Sequence, residues 1–504
     1  MITVVLIVTV VSLCAAFLYR VLSDHRRKYA DIPPIGSRWP FVGNRYDASK
    51  THLVFTDWSK QYGPVFRYQH YGKEIVVLND FDTIYEALVT KGSDFAGRPR
   101  MDRTDYERRN EHSIVWQTYT PKLQFLRKQI HSSLRMYGDG LSRLQKQCGT
   151  EIHELICRIR KFDGAPFDSW SLLYDSACNI MLHLALGKRL PYDGEDLAQL
   201  KEVNGLFNHT FGPGSSRVLD GLPWLHYMEE YRILKKAIRL RDQFWKDHGS
   251  QSTGSGDHTE PVDSVISDLR RLSQDPRYNQ YLKHDATLKE TFTNLILAGT
   301  DTTTTALTCF ILLLIHHEDV QKLLHDEIDH VIGGSRDPLL GDRAHMPLME
   351  ACLLETLRLI SHVPLAVPHS TICDTKVAGK HIPKDTTVYI NLWAMHHDET
   401  FWEQPYSFKY SRFLDSEGHI LPAHHPIRKR LMAFGAGRRV CLGETLAKNR
   451  LFLFGTALLQ HFAFTRDPNS TLISYEPRDF TLGIVLHPGS FKVIARNRHE
   501  CENI

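Results

Sequence analysis

Cys441 stands in the segment of the chain that is best suited to chemistry. From Phe434 to Gly443 the sequence fits the pattern F-x-x-G-x-R-x-C-x-G, so glycines and arginines surround one cysteine. Glycines allow the backbone to approach a flat partner closely, and arginines would lower the pKa of the thiol and pair with an anionic ligand. The pattern therefore favours a thiolate beside a flat, anionic partner. The alternative is a structural cysteine buried in a turn.

A second unusual segment lies near the centre of a long apolar stretch. Residues 288–315 contain no proline and fit one helix of about 28 residues, or about 42 Å. The centre of this stretch holds Gly299 and five threonines, residue types that cost a few tenths to about 1 kcal/mol each relative to Ala in a helix. Something other than helix stability therefore selects them.

The cysteine segment resembles the haem-binding loop of the cytochrome P450 superfamily, the haem-thiolate monooxygenases. The resemblance implies that Cys441 is the proximal ligand of the haem iron, and that Phe434 and Gly443 belong to the cofactor-binding loop. The implied cofactor is haem b, iron protoporphyrin IX, with the cysteine thiolate as its axial ligand.

The centre of the apolar stretch, from Ala298 to Thr302, is similar to the oxygen-activation sequence A-G-x-D/E-T of the same family. The resemblance implies that Asp301 and Thr302 deliver protons, while Ala298 and Gly299 keep side chains away from the haem face. A threonine hydroxyl can bond a helix carbonyl or release it, which would open a notch for oxygen and water.

Glu355 and Arg358 form an E-x-x-R motif on a segment with helical apolar spacing. Side chains three residues apart share a helix face, although an exposed pair of this kind contributes only about 0.2–0.5 kcal/mol. In the family a second arginine completes a buried cluster that holds the cysteine loop, and the resemblance assigns that place to Arg412. Tyr410 and Ser411 replace the usual Pro-Glu there, a departure that bears on the local turn and not on the triad.

The resemblance also implies four groups that would bind the haem propionates: Arg98, Arg127, His369 and Arg439. Two carboxylates beneath a large apolar ring need charge-assisted partners if they are not to be buried alone. Leu123 occupies the tryptophan position of the family pattern W-x-x-x-R, so one propionate donor is absent from this sequence.

Length and composition agree with a globular enzyme. The chain has 504 residues, 61 Lys and Arg against 58 Asp and Glu, and a formal net charge of +3. This balance excludes a disordered chain and gives no support to a nucleic-acid-binding protein, which needs a concentrated basic face. The nine cysteines include no C-x-x-C pair, so we expect neither a disulfide framework nor a zinc site, and we expect a reducing compartment.

The amino terminus predicts a membrane anchor. Residues 2–19 contain no charged side chain, and a helix of this length spans roughly 27 Å, close to the bilayer core. Basic residues cluster between Arg20 and Lys28, which predicts a lumenal amino terminus and a cytosolic body. We therefore expect a single-pass anchor (1–22) in the endoplasmic reticulum membrane, a basic, Pro-rich connector (23–48) and a catalytic domain (49–504). A cleaved secretory peptide is the alternative.

The expected fold is mainly α-helical with small β-sheets, an α+β cytochrome P450 fold behind one transmembrane helix. The run from Glu74 to Leu78 is β-rich and predicts one strand of an early sheet. The polar run from Gly249 to Pro261 predicts a surface loop, with a domain boundary as the alternative.

The narrower resemblance is to the steroid 17-hydroxylase/lyase members, in segments 91–99, 391–397 and 489–493. It implies a lipophilic, steroid-like substrate. In steroid-hydroxylating relatives a polar contact comes from the helix that roofs the cavity, where this chain offers Asn204 and Asn208. The alternatives are that both asparagines face solvent, and that the enzyme is a fatty-acid or xenobiotic hydroxylase.

The implied electron source is NADPH through a separate NADPH-cytochrome reductase, with cytochrome b5 as a further candidate partner. A basic cluster predicts where the reductase docks: Arg428, Lys429, Arg430, Arg438 and Arg439. Two other classes stay open. One is a reductase-independent haem-thiolate isomerase, against which the intact Asp301–Thr302 pair argues; the other is a membrane-tethered haem-binding module.

Overall fold

A computed structural model describes residues 28–498 apart from 37, 40–41, 135–138, 213–218, 221–226, 251–263 and 472. The predicted anchor, the basic cluster before Lys28 and residues 251–261 of the polar loop lie outside the described residues. The described part of the connector runs beside the first sheet, where Pro34 pairs with Arg67 and Gly43 pairs with His70.

Helices are the main element of the described chain, as expected. In chain order they are α1 Thr51–Tyr62, α2 Phe81–Tyr85, α3 Asp102–Asp105, α4 Pro121–Leu134, α5 Asp139–Arg160, α6 Ser169–Leu186, α7 Glu195–Phe211, α8 Glu229–Phe244, α9 Val265–Ser273, α10 Pro276–Leu282, α11 Asp285–His316, α12 Glu318–Val331, α13 Pro347–Ile360, α14 Leu392–His396, α15 Pro426–Lys429 and α16 Glu444–His461. Side-chain caps begin several of them; Asp168, for example, accepts a hydrogen bond from Trp170 N at the start of α6.

Within the described residues, ten short strands form four small sheets. They are β1 Val65–His70, β2 Lys73–Leu78, β3 His369–Ser370, β4 Thr375–Val377, β5 Lys380–Ile382, β6 Thr387–Ile390, β7 Phe462–Arg466, β8 Thr481–Leu482, β9 Leu486–His487 and β10 Val493–Asn497. The largest sheet has the order β1-β2-β6-β3, and β2 and β6 are parallel. The three two-stranded sheets pair β7 with β10, β4 with β5, and β8 with β9. The predicted early strand corresponds to β2.

Helix α11 crosses the centre of the molecule. It has 32 residues, slightly more than the predicted stretch, and packs against α6, α13 and α16. Glycine at position 299 suits this packing, because a Cβ there would lie 2.5 Å from the Met181 sulfur of α6 and the end of that flexible side chain would have to move. Within the described residues α11 is the one helix long and apolar enough to cross a membrane, but it is mostly buried inside the protein and forms its core.

Candidate active site

One cavity brings the predicted site residues together. It has a volume of about 360 Å³ and mainly apolar walls. All the predicted cofactor-binding and catalytic residues line it: Arg98, Arg127, Asp301, Thr302, His369, Phe434, Arg439, Cys441 and Gly443. These residues come from segments that are far apart in the sequence, so the fold, and not local sequence, assembles the site.

The cysteine loop is shaped by two glycines with positive φ. Gly435 has φ +69° and Gly437 has φ +68°, a region that L side chains rarely adopt. A Cβ on Gly437 would also lie 1.7 Å from the Leu88 carbonyl oxygen. Cys441 N donates to Phe434 O at 3.0 Å and closes the loop before α16 begins. The exposed surface of the Cys441 side chain is therefore surface of the cavity.

The pKa of the Cys441 thiol is raised overall, whereas the neighbouring arginines were expected to lower it. Burial is the largest influence and raises this pKa above its ordinary value, while the Gly443 N–H and the Arg127 charge act in the opposite direction. Arg127 uses its side chain to donate to Val440 O at 2.5 Å, next to the cysteine. The expectation overlooked desolvation, which depends on the three-dimensional surroundings. A bound metal ion would supply the positive charge that a thiolate requires here.

The three arginines that were predicted to bind the propionates face the cavity without a carboxylate partner in the part of the chain that the structure describes. Arg98 donates to Val115 O at 3.0 Å, and Arg439 donates to the same carbonyl at 2.6 Å. Burial, and then the charge of Arg127, lower the pKa of Arg439 to about 9, so it stays cationic at pH 7. A concentration of buried positive charge with only carbonyl partners fits two carboxylates of an entering ligand, as haem propionates would provide.

His369 lies beside these arginines, but its ring is neutral whereas they are cationic. Its Nδ1 lies 2.7 Å from Phe95 O and donates to it, which leaves Nε2 as the free ring nitrogen. Burial and then the Arg98 charge hold the pKa of His369 well below its ordinary value. A neutral ring with this tautomer accepts a hydrogen bond at Nε2. His369 could donate to a propionate only as an imidazolium, which the negative charge of a nearby carboxylate would favour.

The predicted oxygen-activation segment presents its hydroxyl to the cavity. Thr302 Oγ1 donates to Ala298 O at 2.7 Å, one turn earlier on α11. Asp301 also lines the cavity but is almost fully buried, and its Oδ2 lies 3.2 Å from His487 Nε2. Arg450 of α16 donates to Gly299 O at 2.8 Å. The carbonyls at the centre of the helix are therefore engaged by side chains, as a notch in the helix would need.

The predicted triad is assembled and fully desolvated at its centre. Arg358 Nε lies 2.7 Å from Glu355 Oε2, and both side chains have no exposed surface. Arg412 Nε lies 3.2 Å from Glu355 Oε1. Arg358 also donates to the carbonyls of His396 and Pro405, each at 2.8 Å. On an exposed helix this pair would contribute little. In this buried network, removing any one partner would leave an uncompensated charge and destabilise the fold.

A histidine connects the triad to the cysteine loop. Arg358 bonds the carbonyl of His396, and the ring of His396 accepts at Nε2 from Met432 N at 3.2 Å. Its Nδ1 lies 2.8 Å from Ser361 Oγ. Met432 O in turn accepts from Gly435 N at 2.8 Å. The triad therefore reaches the loop through one buried imidazole, which the sequence pattern did not indicate.

The two departures from the family pattern have different outcomes. Leu123 is completely buried in the main hydrophobic core, so this position packs and carries no polar group. Residues Tyr410–Phe413 still form a 3₁₀ turn, with Phe413 buried against Trp402. The turn that carries Arg412 therefore still forms with Tyr410 and Ser411 in place of Pro-Glu.

The predicted docking cluster is divided by the fold. Arg439 faces the cavity, so its assignment to a reductase-docking surface is wrong. Arg428 donates to Leu421 O, and Arg430 lies 3.9 Å over the Phe401 ring. Lys429 and Arg438 remain exposed.

Both roof asparagines of α7 line the cavity, so neither is purely solvent-facing. Asn208 Oδ1 accepts from Ile484 N at 2.9 Å and from Val485 N at 3.2 Å, so it holds the turn between β8 and β9. Asn204 is 5% exposed. Lys201 pairs with Asp175 at 2.9 Å and does not line the cavity.

Comparison with known proteins agrees with this geometry. The family model described as Cytochrome P450 matches residues 33–495. Cytochrome P450 1B1 of Homo sapiens is 31% identical over 96% of this chain and 90% of its own length. Steroid 17-alpha-hydroxylase/17,20 lyase of Rana dybowskii is 31% identical over 95% of this chain and 92% of its own. Cytochrome P450 2U1 of Homo sapiens is 32% identical over 94% of this chain and 90% of its own.

These relatives are similar to this chain to nearly the same degree although their names differ, so they establish the family and leave the substrate open. The family implies a haem with a cysteine thiolate ligand, a redox partner and a lipophilic substrate. The predicted site residues line one cavity, and the family model matches residues 33–495. This chain therefore belongs to the cytochrome P450 family and is a monooxygenase.

Proposed function

We propose that this monooxygenase inserts one oxygen atom from O2 into a steroid-like substrate, with electrons from NADPH through a separate reductase. The observation that carries the proposal is that Cys441 and the Asp301–Thr302 pair line one cavity with mainly apolar walls. A cysteine ligand, a proton donor and a water-poor space are what this reaction needs from the protein.

The described residues fit haem b. Cys441 would bind the iron, Phe434 and Gly443 would border the ring, and Arg98, Arg127 and Arg439 would bind the propionates, joined by His369. When bound, the haem supplies the chemistry of oxygen activation. The buried Glu355–Arg358–Arg412 network holds the cysteine loop in place through His396.

Proton delivery falls to Thr302 and Asp301. Thr302 holds its hydroxyl proton on Ala298 O and can turn it toward the cavity at the cost of one hydrogen bond. Asp301 lies on the same wall of the cavity, and it is the acid that replaces the Thr302 proton. This pair disfavours the isomerase alternative, which needs no proton delivery to oxygen.

Substrate affinity comes mainly from apolar burial, at about 25 cal/mol per Å². We favour a steroid over a fatty acid because the roof helix presents Asn204 and Asn208 to the cavity and keeps Lys201 outside it. A carboxylate substrate would want a fixed cation in the roof. The relative with the printed name steroid 17-alpha-hydroxylase/17,20 lyase supports this preference. Cytochrome P450 1B1 and 2U1 are as similar to this chain and their names state no substrate, so a fatty-acid or xenobiotic substrate stays the second candidate.

The cellular arrangement proposed is a single-pass anchor at residues 1–22, a connector at 23–48 and a cytosolic catalytic domain at 49–504 on the endoplasmic reticulum. Exposed Lys429 and Arg438 are the candidates that remain for docking NADPH-cytochrome reductase, with cytochrome b5 as an additional partner.

A spectral titration and a turnover assay test the function. The full-length enzyme is titrated with progesterone, dodecanoic acid and 7-ethoxyresorufin, and the shift in haem spin state is recorded. The ligand that shifts it most is then incubated with NADPH, reductase and ¹⁸O2. We expect progesterone to bind most tightly and to gain one labelled oxygen atom. A spin-state shift with dodecanoic acid alone would overturn the steroid preference, and unlabelled or reductase-independent product would overturn the reaction.

A further inference from the structure

The acid of the oxygen-activation segment has a partner from the distant carboxyl-terminal hairpin. His487 of β9 lies with Nε2 3.2 Å from Asp301 Oδ2 and with Nδ1 3.3 Å from Thr305 Oγ1. Asp301 and Thr305 are one turn apart on α11, so the ring sits against two successive turns. Among the described residues no other group forms an ion pair with Asp301.

The pair spans the wall of the cavity. Asp301 lines the cavity, and its side chain is 7% exposed. His487 does not line the cavity, and its side chain is 22% exposed. An imidazole at this place contacts both the acid and the solvent side of the wall. Imidazole is the side chain that exchanges protons most readily near neutral pH.

The hairpin that carries His487 is fixed from two sides. Asn208 of the roof helix accepts hydrogen bonds from the backbone N–H groups of Ile484 and Val485. Leu486 N donates to His362 O at 2.7 Å, immediately before His487. A Cβ on Gly483 would lie 2.6 Å from Asn208, so the turn packs tightly on the roof. The ring is therefore held in register with Asp301 by the backbone on both flanks.

We propose that His487 is the positioning residue that holds Asp301 and reloads it with protons, an inference that rests on the function proposed above. The imidazolium transfers its Nε2 proton to Asp301 Oδ2, which leaves the neutral Nδ1–H tautomer, and Nε2 takes one proton from solvent before the next transfer. Asp301 then replaces the proton that Thr302 gives up toward the oxygen site. Each step moves one proton, and the electrons arrive separately from NADPH through the reductase.

The groups that face His487 do not compete for this role. Asp301 and Thr305 face it from α11, and His362 faces it from the segment after α13. Burial lowers the pKa of His362 to about 4; the Asp301 charge opposes this shift and the His487 charge adds to it, so His362 is neutral at pH 7. Within the described residues, His487 is the imidazole that lies within hydrogen-bond distance of the Asp301 carboxylate.

The variant His487→Gln separates positioning alone from proton transfer. Glutamine keeps an N–H donor for Asp301 but carries no exchangeable acid proton near neutral pH. We expect unchanged haem content, an unchanged carbon monoxide spectrum and unchanged binding of the panel ligand that shifts the spin state most. Product formed per NADPH should fall by about fivefold or more, with more peroxide and a larger solvent isotope effect on kcat. His316→Gln is the matched control, since His316 lies on α11 and contacts Ile473 O.

The outcomes are distinguishable. If His487→Gln couples NADPH to product as well as the wild type does, the ring only anchors the hairpin and the proposal is wrong. The double variant Asp301→Asn/His487→Gln should couple no worse than Asp301→Asn, because both residues act in one path; additive losses would also contradict it. A wild-type enzyme that gives no NADPH-dependent oxygenation would instead refute the proposed function.

Discussion

Arg358 donates to both carboxylate oxygens of Glu355, at 2.7 and 2.8 Å, and neither side chain has any exposed surface. The two residues are one helical turn apart on α13. Because Arg412 shares the same carboxylate, one acid neutralises part of the charge of two buried cations. The support for the cysteine loop therefore depends on Glu355 more than on either arginine.

Removing that acid should unfold the support beneath the loop. Glu355→Ala leaves two cations without a counter-charge, which costs about 3–5 kcal/mol when a buried pair loses one partner. We expect a lower denaturation midpoint and poor haem retention. Glu444→Ala is the matched control, because its partially exposed pair with Lys448 contributes only about 0.2–0.5 kcal/mol. Equal midpoints for the two variants would show that the triad is not structural.

Two glycines of the cysteine loop should respond differently to a methyl group. Both have positive φ, so Ala costs about 1 kcal/mol at either position. At Gly437 the new Cβ also collides with the Leu88 carbonyl, whereas nothing lies within 4 Å of one at Gly435. Gly437→Ala should therefore lose more stability and haem than Gly435→Ala in denaturant titrations. The reverse order would contradict the packing of the loop on Leu88.

Loss of the Thr302 hydroxyl should disturb proton delivery without disturbing binding. Thr302→Ala should keep its haem and its substrate affinity, but divert electrons from NADPH into peroxide. Thr304→Ala removes a similar hydroxyl, which bonds Thr300 O at 2.9 Å and faces away from the cavity, and should stay coupled. The measurement is peroxide formed per NADPH. Tight coupling in Thr302→Ala would rule out the proposed role.

The imidazole between triad and loop makes the fold sensitive to acid. Burial, followed by the Arg358 charge, lowers the pKa of His396 to about 3 from an ordinary value of 6.5. A depressed pKa means that the unfolded state binds more protons below about pH 6.5, so stability falls as pH falls. His396 alone should contribute a loss of about 2 kcal/mol between pH 7 and pH 5. In urea titrations His396→Gln should show a shallower pH dependence; an identical slope would contradict this.

Local motifs were predictable from the sequence, and long-range partners were not. Cys441 and the Asp301–Thr302 pair were identified because each motif is contiguous, and the structure places them in one cavity. His487 reaches Asp301 across 186 residues, and no local pattern indicates it. The arginines were expected to lower the pKa of the thiol, but burial raises it, and burial depends on the folded surroundings. Arg439 was also assigned to the reductase-docking surface, because a run of basic residues in the sequence does not show which of them the fold turns toward the cavity.

Gly299 shows a second limit. The sequence indicated that helix stability did not select this residue, and the resemblance attributed it to the haem face. In the structure the absent side chain leaves room for the end of the Met181 side chain of α6, so helix packing also favours glycine here. The sequence alone does not show whether the haem face or the packing of α6 accounts for the glycine.

The carbon monoxide difference spectrum of the reduced, full-length protein tests the central claim most directly. The wild type and a Cys352→Ala control, which changes a cysteine buried in the core, should give a thiolate-type spectrum. Cys441→Ala should lose it and retain little haem, because the axial ligand is gone. A thiolate-type spectrum that persists in Cys441→Ala would contradict the assignment of the iron ligand, and with it the account of the site.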